Sequence, residues 1–343
     1  TVTDAEGDGV TFIISGSEIA INSSTGVLTF VSAPDYETKA SYSATVTVSD
    51  GNNSATQDIT VAINDVNEKP IITSGSTYTV DENQTAIGAI TATDESSDLI
   101  YELTGTDSAS VTINNLSGVM TFVAAPDYET KDTYSLIANV SDDSFTTRKA
   151  IQISINNLND NTPSFTSSSS FSVDENQTSI GTVTATDADD DTLTFSVSGS
   201  EIDIDADTGE LTFASAPDYE TKSSYSTTVT ASDGTNSTTQ DITVSINDLN
   251  DESPVFTSSS SFTIDENSTA VGTITATDAD ANTTLAYSLG GADAASLTLN
   301  SATGVLAFTS APDYETKSSY SATVTASDGT NSTVQDIAIS INN

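Results

Sequence analysis

The stretch Ser224–Asp248 reads SYSTTVTASDGTNSTTQDITVSIND. It holds two runs that alternate with period two. In the second run Ile242, Val244 and Ile246 share one parity, so they face one core. Asp248 keeps that parity one step beyond the last core residue. In the first run Tyr225, Val229 and Ala231 face inward, and Asp233 ends the row. Each strand therefore delivers an aspartate to the end of the sandwich it belongs to.

Working outward, Ser179–Asp187, Leu193–Gly199, Glu201–Asp205 and Gly209–Ala214 read as further strands, and Phe165–Val173 as a first one. They are rich in Thr, Val, Ile, Phe and Tyr, which suit a pleated, half-buried surface. Asp207–Gly209 is a hairpin turn, where glycine tolerates positive φ. That makes seven strands. No segment of helical length carries a 3.6-residue period, so the class is all-β.

The unit repeats. APDYETK occurs at Ala33–Lys39, Ala125–Lys131, Ala216–Lys222 and Ala311–Lys317, at spacings of 92, 91 and 95 residues. DEN occurs at Asp81–Asn83, Asp174–Asn176 and Asp265–Asn267. A period near 90 is too long for a solenoid and fits one small sandwich of about 100 residues. The expected organisation is a linear array of four: residues 1–69, 70–162, 163–253 and 254–343. The first lacks the leading strand and the DEN segment. The array is expected to be part of a longer one, or else to take the strand from another chain in a β-addition polymer.

Between repeats lie three short joints: Asn64–Pro70 (NDVNEKP), Asn156–Pro163 (NNLNDNTP) and Asn247–Pro254 (NDLNDESP). All are rich in carboxylates and amides. The chain has 50 acidic and 7 basic residues, a net charge of −43, and no Cys, His or Trp. That balance argues against nucleic acid and anionic membrane surfaces. The missing Cys and His remove thiolate and imidazole ligands, so a bound metal must be held by oxygen, which selects Ca²⁺, Mg²⁺ or Mn²⁺. No apolar run is long enough to cross a bilayer. Paired carboxylates also occur in glycosidases, but here each pair recurs in tandem and there is no Trp platform, so catalysis is not expected. Asp187–Asp191 opens like an EF-hand loop but has Thr192 and Ser198 where that loop needs Gly and Glu. The Lys of each DYETK is read as neutralising local acid.

Taken together, DEN, APDYE, TDAD, the Ser-Asp or Ala-Ser-Asp that ends the sixth strand, and the joint resemble the cadherin repeat. The resemblance covers all four units, and five motifs in one order at one spacing make it specific. It implies tandem seven-stranded Greek-key sandwiches of the immunoglobulin-like kind, with Ca²⁺ between successive ones. Lacking disulfides and nearly lacking Lys and Arg, the array looks more like the cadherin-like repeats of large bacterial surface adhesins than like animal ones.

Carried over residue by residue, the resemblance implies a ligand set at each joint. At the third it is Glu175, Asp218, Glu220, Asp248, Asn250, Asp251, Asp278, Asp280 and Asp328. At the second it is Glu82, Asp127, Glu129, Asn157, Asn159, Asp160, Asn161, Asp187, Asp189 and Asp233. At the first it is Asp35, Glu37, Asp65, Asn67, Glu68, Asp94 and Asp142. This last set is the poorest: Lys69 replaces an amide, and Ser96 stands where the second Asp of the DAD pair should be, with Glu95 and Asp98 nearby. Half-sets are expected at the ends, from Asp4, Glu6 and Asp50 and from Glu266, Asp313 and Glu315.

The function expected is a calcium-stiffened extracellular stalk of a secreted or surface-anchored adhesin, not an enzyme. Its partners would be Ca²⁺ and neighbouring repeats of a longer chain, without membrane insertion by this segment. The alternatives are homophilic or glycan-binding adhesion, meeting a cell-surface glycan or protein, and a filament built by strand addition.

Overall fold

A computed structural model describes every residue except Glu6, Asp8, Ser96 and Ser97. It is all-β apart from two single 3₁₀ turns, Ser108–Ser110 and Ala294–Ser296. The chain divides into two compact units, Thr1–Leu158 and Asn159–Asn343, and the division falls inside NNLNDNTP.

In the second unit, the stretch Ser224–Asp248 forms the hairpin Ser224–Ser232 and Ser237–Asn247, paired antiparallel along its whole length. Thr194–Val197 pairs antiparallel on one side and Ser170–Asp174 runs parallel on the other, which completes a four-stranded sheet. Facing it are Ser179–Thr182, Glu210–Phe213 and Ile202–Ile204. The parities read from sequence hold: Ile242, Val244, Val229 and Ala231 are fully buried and Ile246 is nearly so. Fully burying such side chains is worth about 1.5–3 kcal/mol each, which fixes the register of every strand against a one-residue slip.

Two strands bend where the sequence suggested straight runs. Ser179–Asp187 divides into Ser179–Thr182 and Ala185–Thr186, and the latter pairs with Ser164–Phe165. The break has a backbone cause. Gly181 sits at φ +151° at a register shift, and Val183 turns inward, where its N–H bonds to the carbonyl of Gly209. The leading strand is likewise split by the serine run into Ser164–Phe165 and Ser170–Asp174.

The same sheets recur at Val255–Asn342 in the second unit and at Ile71–Asn156 in the first. Each of the three has its own buried core. The first-unit segment Thr11–Ala62 has the sheet of Thr11–Ile14, Ser41–Ser49 and Ser54–Ala62 and the pair Ile19–Ile21 with Leu28–Phe30.

Four aromatic pairs mark equivalent places: Phe30–Tyr42, Phe122–Tyr134, Phe213–Tyr225 and Phe308–Tyr320, each edge-on at 4.7–4.9 Å. The DYETK lysine lies over that tyrosine and pairs with an acid: Lys39 with Glu18, Lys131 with Asp107, Lys222 with Glu201 and Lys317 with Asp293. The lysines neutralise local acid, as read, and pack their stems on the ring. Among the described residues no helix is long and apolar enough to cross a membrane.

Candidate metal centres

The third joint lies wholly within the second unit. Glu175 is 1 % exposed. Its carboxylate accepts the backbone N–H of Tyr219 at 2.8 Å and of Leu249 at 2.7 Å. The glutamate of one DEN segment thus ties the DYE turn to the joint. Glu175, Asp218 and Glu220 bring carboxylate oxygens within 4.8 Å of one another, as do Glu220, Asp251 and Asp280. Asp280 accepts the N–H of Glu252 at 3.1 Å, and Asp248 that of Ala281 at 2.8 Å.

Mutual repulsion leaves its mark. Burial pushes the Glu220 carboxyl above its ordinary range, and Glu175, Asp248 and Asp280 push it further. Asp280 is raised by burial and by Asp278 and Asp251. Asp218 is held low by hydrogen bonds from Thr221 and stays ionised.

Several acids here are split in role between their two oxygens. Asp328 Oδ1 accepts the N–H groups of Thr330 and Asn331, both at 2.6 Å, while its Oδ2 is buried without a hydrogen bond. Asp278 Oδ1 takes the N–H of Asp280, and its Oδ2 is buried and bare. Asp248 Oδ1 and Asn250 Oδ1 are buried and bare as well. A buried acceptor without a partner costs about 1–3 kcal/mol, and more when charged. Four such oxygens in one joint fit a hard cation that takes six to eight oxygen ligands.

The sequence of the second joint runs across the boundary of the two units, and its residues are taken unit by unit. In the first unit, Glu82 is 1 % exposed and accepts the N–H of Tyr128 and of Leu158. Asp127 accepts from Thr130, Glu129 follows in the same turn, and Asn157 lies beside Leu158. In the second unit, Asp189 accepts the N–H of Asp160 and Asn161 and the side-chain amide of Asn161. Asn159 donates to the carbonyl of Asp233. Asp187 and Asp233 repeat the split, with Oδ1 on backbone N–H and Oδ2 buried and bare.

The first joint lies within the first unit. Asn67 donates to Asp142 at 3.3 Å, and the N–H of Glu68 bonds to Glu95 at 2.7 Å. Burial raises the Glu68 carboxyl, helped by Glu95, Asp65, Asp35 and Asp94. Glu37 shares this field, through Glu68 and Asp35, and donates its N–H to Asp35, while Asn67 and Asp142 meet each other. Glu6 and Ser96, singled out in the sequence, lie outside the described residues. Glu266, Asp313 and Glu315 do converge within 4.8 Å.

Three contributors escaped the sequence reading. Asn236 donates its amide to the carbonyl of Asn161 at 2.9 Å, and Asn331 to that of Glu252 at 2.9 Å. They occupy the same place in successive repeats, three residues past the aspartate that ends the sixth strand, and that spacing was visible. Phe145 holds this place beside the first joint, and Lys69 lies 5.9 Å from its ring. Asp191 is the third: its carboxyl is raised by burial and by Asp187, Asp189 and Asp233.

Comparison with known proteins bears on this arrangement. Residues 169–247 and 260–342 each match the family model of the cadherin domain. These two segments are cadherin domains in tandem. A 128-residue stretch is 39% identical to Protocadherin Fat 4 of Mus musculus, spanning 35% of this chain and 3% of that protein. Mouse Cadherin-23 EC22-24 superposes with a TM-score of 0.66 at 24% identity, covering 81% of this chain and 99% of that one. Protocadherin gammaB7 EC3-6 gives 0.70 at 20% identity, covering 97% and 93%. At these identities the structural likeness is one of fold. Cadherin domains are modules of extracellular adhesion proteins rather than of enzymes.

Proposed function

We propose that the chain is a spacer of an extracellular adhesin whose joints are filled and stiffened by Ca²⁺. The observation that carries this is the set of buried, unbonded oxygens on Asp187, Asp233, Asp248, Asn250, Asp278 and Asp328, each in the ligand set read from sequence. The proposed repeat boundaries, 1–69, 70–162, 163–253 and 254–343, leave each hydrophobic core inside one repeat.

When bound, the ion supplies positive charge and takes up these oxygens; the residues do the rest. Glu82 and Glu175 tie turn to joint, Asn236 and Asn331 hold joint carbonyls, and backbone N–H groups orient each aspartate. Two carboxylates ~5 Å apart repel by about 3 kcal/mol at an effective dielectric of 20. A cation reverses the sign of that term. Exposed multi-carboxylate sites of extracellular modules fill at roughly 0.1–1 mM Ca²⁺, which suits a place outside the cell. The near-copies SSYSTTVTASDGTNSTTQDI and SSYSATVTASDGTNSTVQDI suit a spacer, which needs length and stiffness rather than a specialised face. Calorimetric titration with Ca²⁺ tests the reading. Saturable binding is expected, weakest at the first joint; heat no different from buffer dilution would overturn it.

A further inference from the structure

A second set of buried oxygens belongs to none of the joint motifs. Ser167 Oγ and Gln240 Oε1 in the third repeat, and Ser258 Oγ and Gln335 Oε1 in the fourth, are buried without a hydrogen bond. The backbone brings each pair together. Ser170–Asp174 runs parallel to Ser237–Asn247, with Ser170 opposite Thr243. Carried back three positions, that register sets Ser167 opposite Gln240. Ser261 lies opposite Ala338, which in the same way sets Ser258 opposite Gln335. Gln240 shares the parity of the buried Ile242 and Val244, and Gln335 that of Ile337 and Ile339. Both amides therefore enter the sandwich rather than the outer face of the sheet.

The second repeat shows what this place accepts. Thr77 lies opposite Gln152, so the same register sets Ser74 opposite Lys149. Lys149 thus stands where the later repeats have glutamine. Its ammonium donates to the carbonyl oxygen of Ser74, and Ser74 Oγ is buried without a bond. Lys149 is half-buried. An ammonium leaves water only where other oxygens replace its hydration, so the serine side of the place is built to face positive charge.

We propose that Ser167 with Gln240, and Ser258 with Gln335, each hold a monovalent metal cation, sodium or potassium, where the second repeat puts the ammonium of Lys149. The ligands are the serine hydroxyl and carbonyl oxygens and the glutamine amide oxygen. A buried acceptor without a partner is costly, and one ion serves the hydroxyl and the amide together. These oxygens are neutral, and rings of such oxygens can replace the hydration of a singly charged ion. A divalent ion is drawn instead to the carboxylates of the joints. The net charge of −43 concentrates cations around the chain. This reading stands apart from the calcium one, since it shares no ligand with the joints.

The test uses the full chain in chelator, which keeps calcium out of the result. Melting temperature is followed while potassium or sodium chloride replaces tetramethylammonium chloride, whose cation is too large for the place, at constant ionic strength. A saturable rise is expected with at least one of the two metals, because a ligand of the folded state alone stabilises it by mass action. Crystals soaked in a thallous salt should show anomalous peaks beside Gln240 and Gln335 and none beside Lys149. Gln240→Lys combined with Gln335→Lys puts an ammonium in both places. It should raise the melting temperature in tetramethylammonium and abolish the preference for the metals. Equal melting in all three salts overturns the proposal, as does water in place of an anomalous peak. So does a double variant that keeps the preference of the parent chain.

Discussion

Asp328 shows how one residue serves fold and site together. Its Oδ1 closes the turn through two backbone N–H bonds, and its Oδ2 is buried with nothing to bind. Asp328→Asn keeps an oxygen for the turn but removes the charge. Calcium affinity at the third joint should fall about tenfold or more by calorimetry, while the melting temperature in chelator stays level or rises. A matching loss of stability in chelator would mean that the aspartate is structural only. Asn331 makes the complementary case. Asn331→Ala removes the bond to the carbonyl of Glu252, and urea unfolding of the second unit should lose about 1 kcal/mol. The sign of the pH effect follows from the raised carboxyls of Glu220 and Asp280. For a group whose folded value is raised, the stability it contributes is present below the ordinary carboxylate range and is lost as pH rises through the elevated value. In chelator, the melting-temperature gap between the chain and a Glu220→Gln, Asp280→Asn variant should therefore close on going from pH 7 towards the carboxylate range. In calcium the stabilisation by the ion should shrink over the same interval, since protons compete for the same oxygens.

At the scale of elements, the glycine hairpins are where backbone geometry is strictest. A Cβ on Gly209, at φ +70°, would lie 2.3 Å from the carbonyl oxygen of Val183. Gly209→Ala should destabilise the second unit by about 1–3 kcal/mol from the left-handed backbone alone, read by urea unfolding; a change below ~0.5 kcal/mol would show that the hairpin relaxes freely. The sequence made this turn legible, as it did the inward parity of Ile242, Val244 and Ile246, because a two-residue period over a long strand has one solution that buries the apolar set. The bend in Ser179–Asp187 was not legible. It arises because Val183 bonds across to Gly209, a contact 26 positions away that no local period encodes. The carboxylates of the site were found by resemblance to a repeated pattern. The amides of Asn236 and Asn331 were missed because asparagine in a loop ordinarily signals a turn. Only the fold shows that their donors point at joint carbonyls.

At the scale of the whole molecule, a net charge of −43 works against compaction. The acids that matter most are those gathered at the joints, where pairwise repulsion is summed over many carboxylates. An ion-free array should therefore bend at its joints, and a filled one should not. The first joint, with Lys69 facing Phe145 in place of an amide clamp, should be the least responsive. Small-angle scattering of the full chain, in 1 mM-range calcium and again in chelator, tests this most directly. The maximum dimension should be longer and the distribution narrower with calcium than without. An identical maximum dimension in both conditions would contradict the account.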